Sequence, residues 1–335
     1  MNIIIPMAGM GKRMRPHTLT TAKPLIAIAG KPIVQRLVED ISATANAPID
    51  EIAFIIAPHF GAEVEKMLLD VAESLGARGR ICYQEEALGT AHAILCAADS
   101  LAGNVFVAFA DTLFKADFKI DTEKDAIIWT QQVADPSAFG VVKLAADGQI
   151  TDFVEKPDTF VSDLAIIGVY YFKDGENLKR ELQFLLDNNI AEKGEYQLTT
   201  AMENMKNKGL KFYSDQVEEW LDCGNKEATV YTNQRILEIK KDTETLVHAT
   251  AVTDNATIVA PCYLGPDVVV KNAVVGPHVS LEAGAAVTNA IISNSMVGEK
   301  SVVKNAILAN SMVGKSVLYS SKPEEMSLGD FSTIA

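Results

Sequence analysis

Through the first third of the chain, continuous apolar runs alternate with stretches whose apolar positions recur at helical spacing. Ile3-Ile4-Ile5 reads as a buried strand that ends at Pro6. Ala29-Gly30-Lys31-Pro32 marks a turn, after which Ile33, Leu37 and Ile41 share one helix face. Residues 52–57 are again continuously apolar, as expected of a strand covered on both sides. Helix-like 62–75, strand-like 81–84, helix-like 90–98 and strand-like 105–110 follow. This alternation predicts an α/β fold with a mainly parallel sheet and helices on both faces. In such sheets ligands gather beyond the carboxyl ends of strands, where the turn after Pro6, Gln84 and Asp111 all fall.

The pattern changes from about residue 246, where helix-like 226–241 gives way to short aliphatic steps punctuated by Gly, Asn, Ser and Ala. Asn289-Ala290-Ile291-Ile292-Ser293-Asn294-Ser295-Met296-Val297-Gly298 recurs at an offset of 16 as Asn305-Ala306-Ile307-Leu308-Ala309-Asn310-Ser311-Met312-Val313-Gly314. Asn272-Ala273-Val274-Val275-Gly276 is an earlier echo. Ile258, Leu264 and Val270 stand six apart. Hexapeptide spacing of this kind predicts a parallel β-helix of about four triangular coils, with the aliphatic residues pointing inward.

The length of 335 residues suits one large domain and a smaller one at roughly 100–200 residues each. No apolar run approaches the roughly 18 residues of a membrane span, and the short apolar start lacks the basic stretch of a signal peptide. No membrane partner and a cytoplasmic location are therefore expected. A net charge of −14 argues against a nucleic-acid partner, which would demand a cationic face. Cys82, Cys96, Cys223 and Cys262 show no paired spacing, so neither a zinc site nor a disulfide framework is expected, and most should be buried, inert thiols.

Against this acidic background Lys12, Arg13, Arg15 and Lys23 cluster around Gly9 and Gly11. Glycines there let backbone N–H groups approach anionic oxygens, and the cations supply charge, a combination suited to phosphate. The standard phosphate motifs do not fit. A Walker loop needs Ser or Thr where Arg13 stands, and a dinucleotide fingerprint needs a third glycine where Met14 stands.

Ala8-Gly9-x-Gly11-x-Arg13-x-x-Pro16-x-Thr18, followed by Lys23-Pro24, resembles the signature of the sugar-phosphate nucleotidyltransferases, also called nucleoside-diphospho-sugar pyrophosphorylases. Further segments resemble the same family: Gln84 with Leu88-Gly89-Thr90-Ala91, the apolar strand ending in Ala110-Asp111, and Pro136-x-x-Phe139-Gly140-Val141. Glu155-Lys156-Pro157, Gly168-x-Tyr170, Gly194-Glu195-x-x-x-Thr199 and Trp220-x-Asp222-x-Gly224 continue the series. Two positions depart from it, with Ala110 for the usual glycine and Thr200 for an acid.

The resemblance implies a Rossmann-like nucleotidyltransferase domain over 1–236, a helical linker end at 237–247, a left-handed β-helix over 248–320 and a tail at 321–335. It implies nucleotide binding by Ala8, Gly9, Gly11, Gln84, Gly89 and Thr90, with the Gln84 amide matching the N3–H and carbonyl edge of uracil or thymine. Arg13, Lys23 and Lys156 would be catalytic. Gly140, Glu155, Lys156 and Glu195 would hold the sugar phosphate, and Asp111 and Asp222 would hold Mg²⁺. The implied reaction joins UTP or dTTP to a sugar 1-phosphate with release of pyrophosphate, in a homo-oligomer formed through the β-helix or the catalytic domain. Two alternatives stand beside it: a non-catalytic nucleotide-sugar-binding regulatory subunit, and a bifunctional nucleotidyltransferase and acyltransferase, for which His248 and His278 are the β-helix's available bases.

Overall fold

The computed structural model describes residues 1–45, 47–116 and 119–322. The expected tail at 321–335 therefore lies, from residue 323 onward, outside the described residues. Internal contacts divide the chain into two units, Met1–Ile26 with Lys31–Thr229 and Ala27–Gly30 with Val230–Ala335. The division falls inside the helix Lys226–Lys240, at Thr229.

The first unit opens with β1 (Asn2–Pro6); β2 (Ala27–Ile28) belongs to the second unit, and β3 (Lys31–Pro32) leads into α1 (Ile33–Thr44). Then come β4 (Glu51–Ile56), α2 (Ala62–Ser74), β5 (Arg78–Tyr83), α3 (Thr90–Leu95), β6 (Val105–Ala108) and β7 (Thr112–Lys115). Helix α3 is shorter than its periodicity suggests, giving way to a tighter turn at Ala98–Ser100. The remainder is β8 (Ala126–Gln132), β9 (Gly140–Leu144), β10 (Ile150–Glu155), β11 (Leu164–Phe172), α4 (Gly175–Asp187), α5 (Leu198–Asn207), β12 (Phe212–Gln216), β13 (Glu219–Asp222) and α6 (Lys226–Lys240).

The main sheet runs β10-β9-β11-β6-β1-β4-β5, with β8 joining β11 to β12. Strands β5, β4, β1 and β6 are parallel, whereas β11 runs antiparallel to β6, β8 and β9. The sheet is thus mixed. The Ile3-Ile4-Ile5 run is wholly buried, as expected of a central strand flanked by layers on both faces. A two-stranded ladder lies apart from the main sheet: β13 pairs antiparallel with β7, placing Asp222 opposite Thr112 and Leu221 opposite Leu113.

In the second unit the strands β14 (Val252–Asp254), β15 (Thr257–Ile258), β16 (Cys262–Leu264), β17 (Val269–Lys271), β18 (Val274–Val275) and β19 (Val279–Leu281) are followed by β20 (Ala286–Ser293) and β21 (Ser295–Val297). The last are β22 (Val302–Ala309), β23 (Met312–Val313) and β24 (Leu318–Ser320). They form stacks of parallel strands around a core that includes Val270, Val275, Leu281, Val287, Ile292 and Val303. This is a parallel β-helix, but its coils are shorter than three hexapeptides. Val270 pairs with Val287, 17 positions on, and Val287 with Val303, 16 on. The sides that turn at Asn272, Asn289 and Asn294 are tight because each asparagine takes a left-handed φ of 47°, 51° and 40°. Their side chains stack from coil to coil, Asn289 Nδ2 donating to Asn305 Oδ1 at 3.2 Å and Asn294 Nδ2 to Asn310 Oδ1 at 2.7 Å.

Candidate active site

The turn after β1 is held open by its glycines. Gly11 has φ 55°, and a Cβ there would stand 2.9 Å from Lys23 Cβ, while Thr18 Oγ1 donates to the Gly11 carbonyl at 2.8 Å. Gly9 has no atom within 4 Å of where its Cβ would be, so that face is open. Lys12 and Arg13 sit on a short helical turn pinned by the buried Met14.

A cleft of about 530 Å³ opens beside this turn, lined by Ala8, Gly9, Gly11, Arg13, Lys23 and Gln84 among others. Gly89, Thr90, Asp111 and Glu195 complete the set of expected residues in its wall. A second lobe of about 230 Å³ is lined by Gly140, Glu155, Gln197, Thr199, Trp220 and Asp222. Arg13, Thr90, Phe109 and Asp111 border both. The combined volume falls in the range usual for small-molecule sites.

Asp111 stands at that shared border, in the step between β6 and β7. Lys23, only 7% exposed, donates from Nζ to Asp111 Oδ2 at 2.8 Å. The β7–β13 ladder brings up the second carboxylate, and the Cys223 N–H donates to the Asp111 carbonyl at 2.9 Å. Trp220 and Asp222, two apart on β13, project to the same side. Asp222 Oδ1 accepts from the Gly224 N–H at 2.9 Å. Burial pushes the Asp222 carboxyl above the usual carboxylate range and the Asp111 charge adds to this, while Lys23, the Gly224 N–H and Arg13 pull against it. Ala110, in the glycine position, has no positive φ, so its Cβ is carried without backbone strain.

Gly89 has φ 114°, and a Cβ there would stand 2.4 Å from the Tyr196 carbonyl oxygen, so the residues after Gln84 close tightly on the segment carrying Glu195. The Thr90 hydroxyl is committed within the protein, donating to Gln197 Oε1 at 3.1 Å and accepting from the Leu198 N–H at 2.9 Å. Thr90 presents its surface to the cleft rather than a free donor. In the second lobe Glu155 Oε2 accepts from Thr199 Oγ1 at 3.3 Å, and a Cβ on Gly140 would come within 3.0 Å of the same oxygen.

Two expected residues sit differently from the rest. Glu195 borders the larger lobe rather than the smaller, with Oε2 accepting from Gln197 Nε2 at 2.9 Å. Lys156 is not among the lining residues of either lobe; its ammonium lies 3.5 Å from Glu155 Oε1 on a half-exposed side chain. Thr200 is turned aside, donating to Glu192 Oε2 at 3.3 Å.

Thr199, Tyr170 and Trp220 entered the sequence reading only as motif positions with no role assigned, and Gln197 did not enter it. Trp220 Nε1 is buried without a hydrogen-bond partner among the described residues, in the wall of the smaller lobe. Its ring meets Phe139 edge-on at 5.0 Å. Its period-two relation to Asp222 puts the indole on the same side of the strand as that acid. Among the described residues no three His, Cys, Asp or Glu side chains converge as a metal cluster, and no helix is long and apolar enough to cross a membrane. In the β-helix, His248 Nδ1 bonds Thr250 Oγ1 at 3.0 Å and His278 Nε2 lies 2.6 Å from Glu238 Oε1. Cys223 and Cys262 are buried, whereas Cys82 and Cys96 are only partly so, and all four are free thiols.

A sequence model described as Nucleotidyl transferase matches residues 2–239. Glucose-1-phosphate thymidylyltransferase of Streptomyces antibioticus is 28% identical to this chain, covering 100% of it and 99% of that protein. The low-salt glycan biosynthesis nucleotidyltransferase Agl11 of Haloferax volcanii is 30% identical, over 76% of this chain and 70% of its own. The bifunctional protein GlmU of Methanococcus maripaludis is 28% identical over 80% of this chain, which spans 62% of that protein. Among solved structures, a nucleoside-diphosphate-sugar pyrophosphorylase from Vibrio cholerae RC9 shares the fold with a TM-score of 0.60 at 20% identity, over 69% of this chain and 99% of that one.

Proposed function

The chain belongs to the nucleotidyl transferase family, and from that premise we propose that it moves a uridylyl or thymidylyl group from UTP or dTTP to a sugar 1-phosphate and releases pyrophosphate. The observation that carries this reading is Asp111 at the border of two lobes, paired to the buried Lys23 and set against Asp222.

Both reactants are polyanions, so the chemistry asks for charge neutralisation and alignment more than for a protein nucleophile. In this reading the turn through Ala8, Gly9 and Gly11 cradles the triphosphate, and Arg13 and Lys23 hold the charge that grows on the departing pyrophosphate. Gln84 and Gly89 meet the base, with Thr90 as a wall. Gly140 and Glu155 face the sugar, joined by Glu195 from the larger lobe, and the unpartnered Trp220 N–H offers a donor to a sugar oxygen. Lys156 leaves Glu155 for the sugar's 1-phosphate and aims one of its oxygens at the α-phosphorus. As that P–O bond forms, the bond to pyrophosphate breaks.

Asp111 and Asp222 fit Mg²⁺. Both present hard carboxylate oxygens, and the mutual repulsion that helps raise Asp222 is a cost that a shared cation would remove. With no third such side chain among the described residues, phosphate oxygens and water would complete the coordination. When bound, the ion neutralises phosphate charge and polarises the α-phosphoryl group.

Pyrophosphate release measured over a panel of nucleoside triphosphates and sugar 1-phosphates tests the reaction. Asp111→Asn should keep the fold and lose about a hundredfold or more in turnover; unchanged turnover would remove the metal role. Lys156→Ala should raise KM for the sugar phosphate and leave that for the nucleotide alone, and the reverse pattern contradicts its assignment. The same reading expects a homo-oligomer. The outward-facing Val274, Ile291 and Ile307 of the β-helix support it, and sedimentation of the full chain as a monomer would refute it.

A further inference from the structure

Behind the cleft wall, His92 touches the side chain assigned to reading the base. Gln84 lies at the end of β5, its backbone N–H fixed to the Ile56 carbonyl at 2.9 Å, and its side chain lines the cleft. Gln84 Nε2 stands 3.3 Å from His92 Nδ1. His92, half-buried on α3, is not among the lining residues, so its contact is with Gln84 rather than with the space a ligand would occupy. Gln84 Oε1 makes no hydrogen bond among the described residues.

A glutamine amide can be turned by half a rotation, exchanging its donor and acceptor ends, and the two ends read opposite base edges. Uracil and thymine present an N3–H donor beside a carbonyl acceptor. Cytosine presents the reverse, an N3 acceptor beside an amino group. The amide nitrogen carries two hydrogens, so one can go to His92 Nδ1 while the other remains beside Oε1 for the base. Turning the amide over would set Oε1 against Nδ1, and the imidazole would then have to move its proton from Nε2, the nitrogen that carries it by preference, to Nδ1, or leave two acceptors facing each other in a partly buried place.

We propose that His92 is a positioning residue that locks the Gln84 amide with its oxygen towards the nucleobase, so that the site takes bases with an N3–H, uracil or thymine, and turns cytosine away. This rests on the reading above that Gln84 meets the base of the nucleotide substrate. His92 itself contributes no contact to the ligand, and its effect lies in which nucleotide is used rather than in the rate of phosphoryl chemistry.

The test compares kcat/KM for UTP, dTTP and CTP in the full chain, with His92→Leu and His92→Asn as variants and thermal melting as the check on folding. His92→Leu removes the acceptor, and the preference for UTP and dTTP over CTP should shrink by about tenfold, since this discrimination rests on hydrogen bonds that would otherwise be left unpaired. His92→Asn puts an amide oxygen where Nδ1 stands and should restore most of the preference. Calorimetric binding of UTP and CTP without sugar phosphate should show the same change in ratio. If the wild type uses UTP or dTTP and His92→Leu leaves the ratio untouched, whether or not total activity falls, this inference is overturned and the proposed function stands. If the wild type turns over only purine nucleotides, the assigned base fails and the inference falls with it.

Discussion

Glu51 opens β4, at the opposite end of the strands from the cleft, and is 3% exposed. Burial by itself would raise its carboxyl, but hydrogen bonds from Ser100, Arg80 and Arg78 hold it below the usual glutamate range. A native pKa below the unfolded one means that the ionised form stabilises the fold: the contribution is complete above the ordinary glutamate range and is lost as pH falls through the native value. Denaturant midpoints should therefore decline through acid pH, and Glu51→Gln should be less stable at neutral pH with a flatter acid decline. An identical acid limb in the variant would show that this network carries no pH dependence. Nothing in the sequence marked Glu51, because its partners Arg78, Arg80 and Ser100 come from other elements. Lys23, Asp111 and Gln84 could be placed beside the cleft because each stands next to the glycine turn or at the end of a strand, in segments that resemble those of the family. The roles of Thr199, Gln197 and His92 were not legible, since they consist of side-chain contacts across the fold, 3.3 Å from Glu155 for Thr199 and 3.3 Å from Gln84 for His92.

Among the elements, the apolar periodicities that announced β1, α1, β4 and α2 are those of long segments with one consistent environment. The β7–β13 ladder was invisible at that level. Its strands are four residues each, too short for periodicity to speak, and they meet across a hundred positions of chain. Yet this ladder joins the two acids. The β-helix was legible from its repeat, whose offset of 16 already fell short of three hexapeptides, while the cause, single asparagines in left-handed backbone, is not encoded by the spacing. The turn at Gly30 shows how narrowly an element can be specified: φ is 86°, and a Cβ would stand 2.2 Å from the ring of Tyr263. Gly30→Ala should destabilise the second unit by more than the ~1 kcal/mol of backbone strain, because the ring must also move. Gly30→Ala with Tyr263→Leu should recover part of the loss, and full additivity of the two changes would argue against the contact.

Taken whole, the molecule holds a separate buried cluster in each unit, one containing Ile4, Val107 and Tyr170 and the other Val270, Val287 and Ile292. Separate cores permit separate melting. Calorimetry should resolve two transitions, of which a saturating nucleotide triphosphate raises the one belonging to the cleft, since a ligand stabilises only what binds it. Val287→Ala should lower the other by about 2 kcal/mol, the usual cost of deleting buried methyl groups. A single transition shifted equally by both would show that the two cores unfold as one.

Ala27–Gly30 is cut from the early sequence but keeps company with the late one: Ile28 is wholly buried, and the Ala29 N–H donates to Asn233 Oδ1 at 3.0 Å. No single severed peptide bond can part the two units into self-sufficient pieces. A gene shortened to end before α6 would encode a protein whose loop at 27–30 has lost its mooring, with an isoleucine exposed to water just downstream of Lys23. Such a fragment would be expected to lose activity for want of anchorage rather than for want of any reacting group.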